Sequence, residues 1–412
     1  MKKEVREGYK KTLAGYIPDE WGYEELNKLV NKITDGTHKT PNYTEDGIPF
    51  LRVTDIQQSN IDWGNVKYIS QEEHLELIKR CNPELGDILY SKNGTIGIPK
   101  IIDWNKEFSI FVSLCLIKMK KENSLIINKY LEQFLKSDSC MKQIRLRAKQ
   151  GTVTNLHLEE IRELVVPIPT KEEQEKIASI LSTVDEQIDN TEKLIQKNQE
   201  LKKGLMQQLL TKGVGHIKFK KTEIGEIPEE WEVKCLEEIC EILDSYRKPI
   251  KASERENMKG EIPYYGASGV IDWVNDYIFD EDLILLGEDG ENLSSRNTEL
   301  AFKVSGRCWV NNHAHVFKIR DNKSHNIDFI VYYLESKDYS KYIAGSAQPK
   351  ITQAQCRKFL LPIPDKKEQD KIASILVSID EKIEEYQNKK EKLEELKKGL
   401  MQQLLTGKIR VV

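Results

Sequence analysis

The sequence predicts an α+β protein in which two mixed α/β bodies alternate with two long helices that pair as an antiparallel coiled coil. The main observation is a stretch of 46 residues that occurs twice, at 166–211 and 361–406, with 28 identical positions and a constant offset of 195. A second observation is a short head motif, GxIPxxW, at 15–21 and 225–231. Internal repeats of this kind determine the architecture. The order along the chain is therefore head, body and helix, twice.

The repeated stretch predicts two long helices with a coiled-coil seam. Each copy follows a Pro-x-Pro sequence and continues for about forty residues, with one Gly near its end. Seam positions alternate at steps of four and three, the spacing typical of a coiled coil. The seam consists of Ile177, Leu181, Val184, Ile188, Thr191, Ile195, Asn198, Lys202, Leu205 and Leu209 in the first helix, and of Ile372, Leu376, Ile379, Ile383, Tyr386, Lys390, Leu393, Lys397, Leu400 and Leu404 in the second.

An antiparallel pair related by a twofold axis aligns seam positions whose residue numbers sum to 581. Ile177 then faces Leu404, and Leu209 faces Ile372. The polar seam residues weaken the pairing and help to set its register. The alternative is two separate amphipathic helices, each packed on its own body.

The repeat is also cyclic. After Leu210 the chain continues as TKGVGHIKFKKT into the second head, and after Leu405 it continues as TGKIRVV. The chain end therefore matches the segment that precedes a head. This match favours a closed pseudo-twofold arrangement over a linear array.

The two bodies, 1–165 and 214–360, show the patterns of short strands followed by a helical segment, and the long helices occupy 166–213 and 361–412. Runs rich in β-branched and aromatic residues, separated by turn residues, predict the strands. These runs lie at 47–56, 86–102, 109–119, 261–274, 280–290, 300–306 and 308–319, and the helical segments lie at 128–149 and 328–343. The bodies share this plan but almost no sequence.

Composition indicates a soluble protein of the cytoplasm. Charged residues make up 32% of the chain, the net charge is −4, and no apolar run is long enough for a membrane span. The N-terminus lacks the apolar core of a signal peptide. Seven Cys without a CxxC pair indicate a reducing compartment. Cys235 and Cys240, on a predicted amphipathic helix, are interpreted as small buried apolar residues and not as metal ligands.

Motifs of catalysis are missing from the sequence. It contains no GxxxxGK[ST] phosphate loop, no GxGxxG after a strand, and neither of the Asp-Pro-Pro-Tyr and Asn-Pro-Pro-Tyr runs of amino-methyltransferases. His313 and His315 are predicted to share one face of a strand as hydrogen-bonding groups, because no third metal ligand is evident. The acidic run 287–290 is interpreted as a turn. The chain is therefore predicted to be non-catalytic and to hold no metal.

Several motifs together resemble the specificity subunit of type I restriction-modification systems. They are KKGLMQQLLTGK, the PxPxxxEQxKIA helix start, the GxIPxxW heads and the half-repeat layout. Within the bodies, DGTH (35–38), IPFLRV (48–53), GDILYSKNG (86–94), IPYYGASG (262–269) and NNH (311–313) resemble motifs of target-recognition domains. The resemblance covers essentially the whole chain.

The resemblance implies that each body reads one half of an asymmetric bipartite DNA site. The helices would set the spacer and dock two methyltransferase subunits. Adenine-N6 methylation with S-adenosylmethionine would belong to those partners, and ATP- and Mg-dependent cleavage to separate restriction subunits. No cofactor would be bound by this chain. The alternatives are a coiled-coil adaptor that joins two protein-binding modules, and an enzyme that cuts or methylates DNA alone.

Candidate DNA-contacting residues are chosen by chemistry and predicted position. Phosphates require Lys or Arg, and base edges require Arg, Lys, Asn, Gln, Ser or Thr in loops. For the basic run in the first body, a solvated helix face is the competing interpretation. Trp21 and Trp231 are interpreted as packing residues. The candidates are Lys92, Asn93, Lys142, Arg145, Arg147, Lys149 and Thr152 in the first body, and Tyr265, Ser268, Arg296, Asn297, Lys341 and Lys350 in the second.

Overall fold

Two compact units make up the chain, and each combines one body with parts of both long helices. The computed structural model describes residues 7–58, 60–122, 124–147, 155–342 and 349–411. The first unit is Met1–Glu192 with Asn388–Val412, and the second is Lys193–Gln387. Each unit therefore takes one half of its helical part from each copy of the repeat.

The first unit is built from short strands and helices, followed by a long helix that continues into the second unit. Its strands are β1 Tyr9–Thr12, β2 Gly15–Pro18, β3 Gly22–Glu25, β4 Lys32–Asp35, β5 Tyr43–Thr44, β6 Ile48–Leu51, β7 Lys67–Ile69, β8 Ile88–Ser91, β9 Pro99–Ile101, β10 Ser109–Ile110, β11 Leu114–Lys118 and β12 Val165–Ile168. Its helices are α1 Leu26–Leu29, α2 Gln71–Leu77, α3 Asn128–Leu135, α4 Asp138–Arg147 and α5 Leu158–Arg162, and the long helix is α6 Lys171–Lys212.

The second unit repeats this plan. Its strands are β13 Phe219–Thr222, β14 Gly225–Pro228, β15 Glu232–Cys235, β16 Cys240–Ile242, β17 Lys259–Gly266, β18 Gly269–Val274, β19 Phe279–Asp280, β20 Leu283–Gly287, β21 Ala301–Val304, β22 Arg307–Val310, β23 Ala314–Ile319 and β24 Leu360–Ile363. Its helices are α7 Leu236–Ile239, α8 Ala252–Arg255, α9 Asn292–Ser295, α10 Ile327–Ser336 and α11 Gln353–Arg357, and the second long helix is α12 Lys366–Leu404.

Both bodies contain a central antiparallel sheet of the same order. It runs β4-β11-β8-β9 in the first body and β16-β23-β20-β21 in the second. Two inner strands, β8 and β20, are buried along their whole length, as expected for strands covered on both faces. Each body also has a second four-stranded sheet, with the order β10-β6-β7-β5 in the first body and β18-β17-β22-β19 in the second. These two sheets differ in the position of one outer strand. The shared plan predicted for two bodies of unlike sequence is confirmed.

The long helices begin and end at the residues expected from their sequence. Thr170 and Asp365 accept hydrogen bonds from the backbone N–H groups of Glu173 (3.2 Å) and Glu368 (2.8 Å), and so cap the two N-termini. At the C-terminal ends, Gly213 and Gly407 adopt φ of +63° and +64°. Glycine suits this left-handed conformation, which commonly ends helices.

The helices pair antiparallel within each unit. In the first unit Ile177 and Leu404 belong to one buried cluster, and in the second unit Leu209 and Ile372 belong to another. Every seam residue is buried or half-buried. The predicted coiled coil is therefore confirmed, and the alternative of two separate amphipathic helices is excluded.

Each unit is closed by the same contact between head and long helix. Trp21 Nε1 donates to Glu173 Oε2 at 3.1 Å, and Trp231 Nε1 donates to Glu368 Oε2 at 3.0 Å. Both indole rings are buried, which confirms their interpretation as packing residues.

A basic residue from beyond a long helix completes each head contact. Arg410 donates to Glu173 (3.0 Å from Nη2 to Oε2), and His216 Nε2 lies 2.8 Å from Glu368 Oε1. Arg410 and His216 follow opposite helices at matching places in the repeat. The same contact thus forms once in each unit, as the predicted cyclic repeat requires.

Several local predictions differ from the structure. The helical segment predicted at 328–343 is shorter, since α10 ends at Ser336. The helical segment at 128–149 is two helices, because Ser137 lies between them and its Oγ caps the second by accepting from Cys140 N at 3.1 Å. Cys235 and Cys240 do not share a helix, since α7 is four residues long and lies between them. Cys240 is buried, as predicted, whereas Cys235 is only half-buried. His313 precedes β23, so only His315 lies in the strand.

Candidate nucleic-acid interface

In the first body, candidate residues gather where β8 ends. Lys92 and Asn93 follow this strand directly, and Asn93 forms an isolated bridge with Asn155. The backbone N–H of Leu156 donates to Lys92 O at 2.8 Å, which holds the segment before α5 against the same turn. Asn93 is half-buried at this turn.

The charge of Lys92 is used inside the body. Its side chain is 7% exposed, and its Nζ lies 3.4 Å from Asp35 Oδ2. Asp35 also receives Arg80 Nη2 at 2.5 Å and lies 3.1 Å from His38 Nε2. Since a buried charge requires such partners, Lys92 holds Asp35 in place and presents little of its own surface.

The basic run predicted on 142–150 is partly an exposed helix face. Lys142 and Arg145 on α4 are exposed, whereas Gln143 between them is buried. Arg147 is half-buried and donates to the carbonyl oxygens of Gln143 (3.2 Å) and Glu163 (2.8 Å). Lys149 and Thr152, together with Gln150, lie outside the described residues.

Helix α4 lies against the loop that follows Lys92 and Asn93. Met141 packs on this loop so closely that a Cβ at Gly97 would meet its Sδ at 2.8 Å. Lys142 is the next residue along the helix. Lys142 itself borders a groove that is also lined by the head residues 13–16 and by Lys397 and Lys398 of α12, so the packing of Met141 does not place the exposed cations of α4 at the β8 turn.

In the second body, the turn of the β17–β18 hairpin lies against the end of β20. A Cβ at Gly287, the last residue of β20, would meet Ala267 O at 2.7 Å. Ser268 is the exposed residue of this turn. Tyr265 lies in β17, where its ring packs 5.9 Å from that of Phe302, and burial raises the pKa of its hydroxyl.

Lys350 also lies beside the end of β20. It pairs with Asp289 in an isolated bridge, and its exposed side chain places Nζ 2.7 Å from Glu288 Oε1. The backbone N–H of Glu288 donates to His313 O at 2.8 Å, and the backbone N–H of Ile351 donates to Glu288 O at 2.8 Å. The turn of Ser268 and the segment of Lys350 thus meet at one end of the central sheet.

A buried charged cluster supports this end of the sheet. His315 Nδ1 lies 2.7 Å from Asp244 Oδ2, and His315 Nε2 donates to Ile351 O at 2.9 Å. Arg247 Nη1 donates to Glu288 Oε2 at 2.5 Å. Burial alone would raise the pKa of Glu288, but hydrogen bonds from Lys350 and Arg247 outweigh it and lower the pKa.

His315 is held as a cation within this cluster. Burial alone would lower the pKa of its imidazole, but hydrogen bonds with Asp244 and Cys356 outweigh burial and raise the pKa to about 10. The cation of His315 therefore fixes Ile351, and with it the segment of Lys350. The hydrogen-bonding role predicted for this histidine is confirmed.

The remaining candidates of the second body lie elsewhere. Arg296 adopts a left-handed conformation, with φ of 51°, and its Nη2 donates to Glu335 Oε1 of α10 at 2.9 Å. Asn297 follows it and is exposed, and Lys341 is exposed beyond α10.

The two bodies carry opposite charges at one equivalent position. Lys92 and Glu288 both follow the same inner strand of the central sheet, and both accept a backbone hydrogen bond, from Leu156 and Ile351 respectively. Lys92 is paired with Asp35, and Glu288 with Arg247. The frame is therefore the same in the two bodies while the side chains at the loop ends differ.

Sequence reasoning missed the partners of these buried charges. Arg80 and Asp35 are 45 residues apart, and Arg247 and Glu288 are 41 residues apart. The DGTH run at 35–38 was the available signal for Asp35, but only the fold shows its partners.

These arrangements present hydrogen-bonding and cationic groups, which suits contact with a polar polymer. Among the described residues, no group of three or more His, Cys, Asp or Glu side chains could hold a metal ion. In the described parts of the chain, none of the helices combines the length and the apolar character that a membrane span requires.

The two-body, two-helix fold and comparisons with known proteins define the class of this chain. The family model described as the type I restriction modification DNA specificity domain matches residues 18–203 and 228–395, one match for each half. The chain belongs to this family. It is thus a DNA-specificity component and not a catalytic subunit. The family match supports this interpretation over the alternative of a coiled-coil adaptor.

Individual relatives agree along the whole chain. The MjaX specificity subunit of a type I restriction enzyme from Methanocaldococcus jannaschii is 32% identical, over 98% of this chain and 97% of the relative. The MjaVIII specificity subunit of the same organism is 28% identical, over 98% and 96%.

Solved structures show the same fold. The S subunit of a type I restriction-modification system from M. genitalium matches with a TM-score of 0.63 at 18% identity, covering 93% of this chain and 96% of that one. A chain from a study of complex assembly in a type I R-M system matches with a TM-score of 0.56 at 15% identity, covering 95% and 99%.

Proposed function

We propose that this chain is the sequence-reading subunit of a type I restriction-modification complex, in which each body reads one half of an asymmetric bipartite DNA site. The observation that carries this proposal is the pair of bodies with one sheet order but different side chains at the loop ends. A common frame with unlike loops suits two half-sites of unlike sequence. The recognition domains would be 1–165 and 214–360, and the spacer helices 166–213 and 361–412.

The DNA-contacting set remains a proposal, and the structure divides it by exposure. Lys142, Arg145, Ser268, Asn297 and Lys341 are exposed and suited to direct contact, and Lys350 is exposed although its Nζ is paired with Glu288. Tyr265, Asn93 and Arg147 are half-buried at or beside the same loops, whereas Lys92 and Arg296 are held by carboxylates and shape their loops. Lys149 and Thr152 complete the set from the sequence. Exposed cations would contact phosphates, and loop hydroxyls and amides would contact base edges.

The partners follow from the same proposal. The repeated helices offer two equivalent surfaces, which suits two methyltransferase subunits. Those subunits would carry out adenine-N6 methylation with S-adenosylmethionine, and two restriction subunits would supply ATP- and Mg-dependent cleavage. This chain would bind none of these cofactors, and the complex would act in the cytoplasm.

A methylation map of the host genome, with and without this gene, tests the proposal. The expected result is one bipartite adenine-methylated motif that disappears with the gene and has two unlike halves separated by a fixed spacer. An unchanged map in a strain that expresses the methyltransferase subunit would contradict the proposal. Duplex binding by the purified chain with its methyltransferase partner provides the direct comparison, and binding without sequence preference would favour an adaptor.

A further inference from the structure

Two lysines occupy seam positions of the coiled coil and meet carboxylates of the opposite helix. In the second unit Lys202 Nζ lies 2.6 Å from Asp380 Oδ1. In the first unit Lys397 Nζ pairs with Asp185. These lysine side chains are 17% and 20% exposed. Because both pairs are related by the offset of 195, the structure contains the same interhelical pair twice.

Each carboxylate also accepts a hydrogen bond from its own body. Asp380 Oδ2 accepts from Tyr332 Oη at 2.6 Å, and Tyr332 lies on α10. Asp185 Oδ2 accepts from Gln133 Nε2 of α3 at 2.8 Å. Each aspartate therefore joins three elements: the two long helices and the helix of the adjacent body.

The apolar seam alone does not select this register. Leu, Ile and Val exchange with one another at seam positions at low cost, so a shift of one heptad would still bury apolar side chains. In each observed lysine–aspartate pair, the two residue numbers sum to 582. A one-heptad shift in either direction would place Asp380 opposite Ile195 or Leu209 instead of Lys202. Both of these residues are buried, and a carboxylate without a partner there is strongly unfavourable.

Asp185 disfavours the one-heptad register shift in one direction only. The same two shifts would place it opposite Lys390 or Leu404. Lys390 would offer a substitute cation, but it would leave its present partner Glu192. Leu404 is buried and offers none. Asp380 therefore disfavours both shifts, and Asp185 reinforces one of them.

We propose that Asp185 and Asp380 are positioning residues that fix the register of the helix pair and thereby the spacer length between the two half-sites. The proposal rests on the DNA-reading function for its readout, and on the interhelical and helix-to-body contacts for its mechanism. One heptad is about 10 Å of helix, or about 3 base pairs of B-DNA. Loss of the carboxylates should therefore allow a spacer that differs by about this amount.

The test replaces both carboxylates by apolar residues in the complete complex. The variant D185L/D380L should methylate sites with the wild-type half-sites and a second spacer length. The matched control is E186L/E381L, which makes the same chemical change at two exposed positions also related by the offset of 195. This control should keep the single wild-type spacer. A single unchanged spacer for D185L/D380L would overturn the proposal.

A cysteine cross-link measures the register without any DNA readout. Cysteines at Ile188 and Leu393 report the present register, and a cysteine at Ile188 paired with one at Tyr386 or at Leu400 reports a shift of one heptad in one or the other direction. The first pair should form a disulfide in the wild-type background, and one of the shifted pairs should form one only when both aspartates are replaced. D185N/D380N, which keeps the side-chain size, serves if the leucine variant does not fold. Absence of the shifted cross-link in both backgrounds overturns the proposal, whereas a missing bipartite motif in the wild type overturns only the DNA-reading function.

Discussion

At the scale of single residues, the buried charges determine which loop ends are held in place. Lys92 and Glu288 occupy equivalent positions with opposite charge, and each is neutralised by a partner distant in sequence. A basic residue in a predicted turn is an obvious candidate for DNA contact, yet Lys92 is directed inward. Sequence patterns predict the turn but not the direction of its side chain, because that direction depends on a carboxylate 57 residues earlier. Lys142 and Arg145 were chosen from the sequence as part of a dense basic run, and the structure shows both side chains exposed on α4.

Stability of the second body should depend on pH through His315. Folding raises the pKa of His315 from its ordinary value near 6.5 to about 10. The protonated imidazole therefore stabilises the folded state fully at pH values below about 6.5, and this stabilisation is lost as the pH rises to about 10. The melting temperature should therefore fall between these values by at least about 5 °C. His315→Gln should be less stable at neutral pH and show a weaker dependence over this interval. Scanning calorimetry across the interval provides the measurement, with the exposed His313→Gln as control. Equal slopes for the wild type and His315→Gln would contradict the assignment.

Neutralising the exposed cations of α4 should weaken DNA binding. Each phosphate contact contributes about 0.9 to the slope of log affinity against log salt. The variant K142Q/R145Q should therefore lower affinity at low salt and reduce this slope by about 2. Titration of labelled duplex at several salt concentrations measures both quantities. Lys129→Gln, an exposed change on neighbouring α3, is the control. Unchanged affinity and slope would assign the basic run to a solvated face.

At the scale of elements, the long helices were predictable and the short ones were not. The long helices have caps, a sustained seam and terminal glycines, so several local signals agree. The four-residue helices such as α7 carry no periodicity, and the Cys235–Cys240 segment was wrongly predicted as a single helix. The break at Ser137 illustrates a second limit, since an N-cap within an apolar-periodic run is visible only when its hydrogen bond is known.

Two glycines near the end of α12 should respond oppositely to alanine. Gly399 is inside the helix and a Cβ there would meet nothing within 4 Å, so Gly399→Ala should stabilise by about 0.5–1 kcal/mol. Gly407 has φ of +64°, and a Cβ would lie 2.5 Å from the Pro18 ring. Gly407→Ala should destabilise the first unit by about 1–3 kcal/mol. Urea unfolding measures both changes. Effects of the same sign would contradict the assigned helix end.

At the scale of the whole molecule, the repeats predicted the architecture because both copies are strongly similar and periodic. The spacing of the seam and the cyclic repeat indicated the antiparallel pairing, in which facing residue numbers sum to 581, and the ion pairs of each unit agree with this sum to within one residue number. The DNA-reading loops were much less predictable, since the bodies share a sheet order but almost no sequence. Their contacts depend on tertiary partners that no local pattern specifies.

Replacing one body should change one half-site. The exchanged segment is 1–165 with the head residues 9–21 retained, because Trp21 contacts Glu173 and Pro18 lies against Gly407. Genome methylation mapping should then show one new half-site, with the other half-site and the spacer unchanged. The reciprocal exchange of 214–360 is the control and should change the other half alone. A change in both halves, or in the spacer, would contradict the independence of the two bodies.

The composition of the first unit has a consequence for the order of folding during synthesis. Its core contains Leu404 and Leu405, and its head contact with Glu173 is completed by Arg410. These residues leave the ribosome after every residue of the second unit. The body synthesised first therefore has an exposed apolar helix face until the residues after Gln387 have emerged, whereas the second unit can close its core earlier. Chain-length arrest would reveal this delay as protease sensitivity of the first unit that persists until its last 25 residues have emerged.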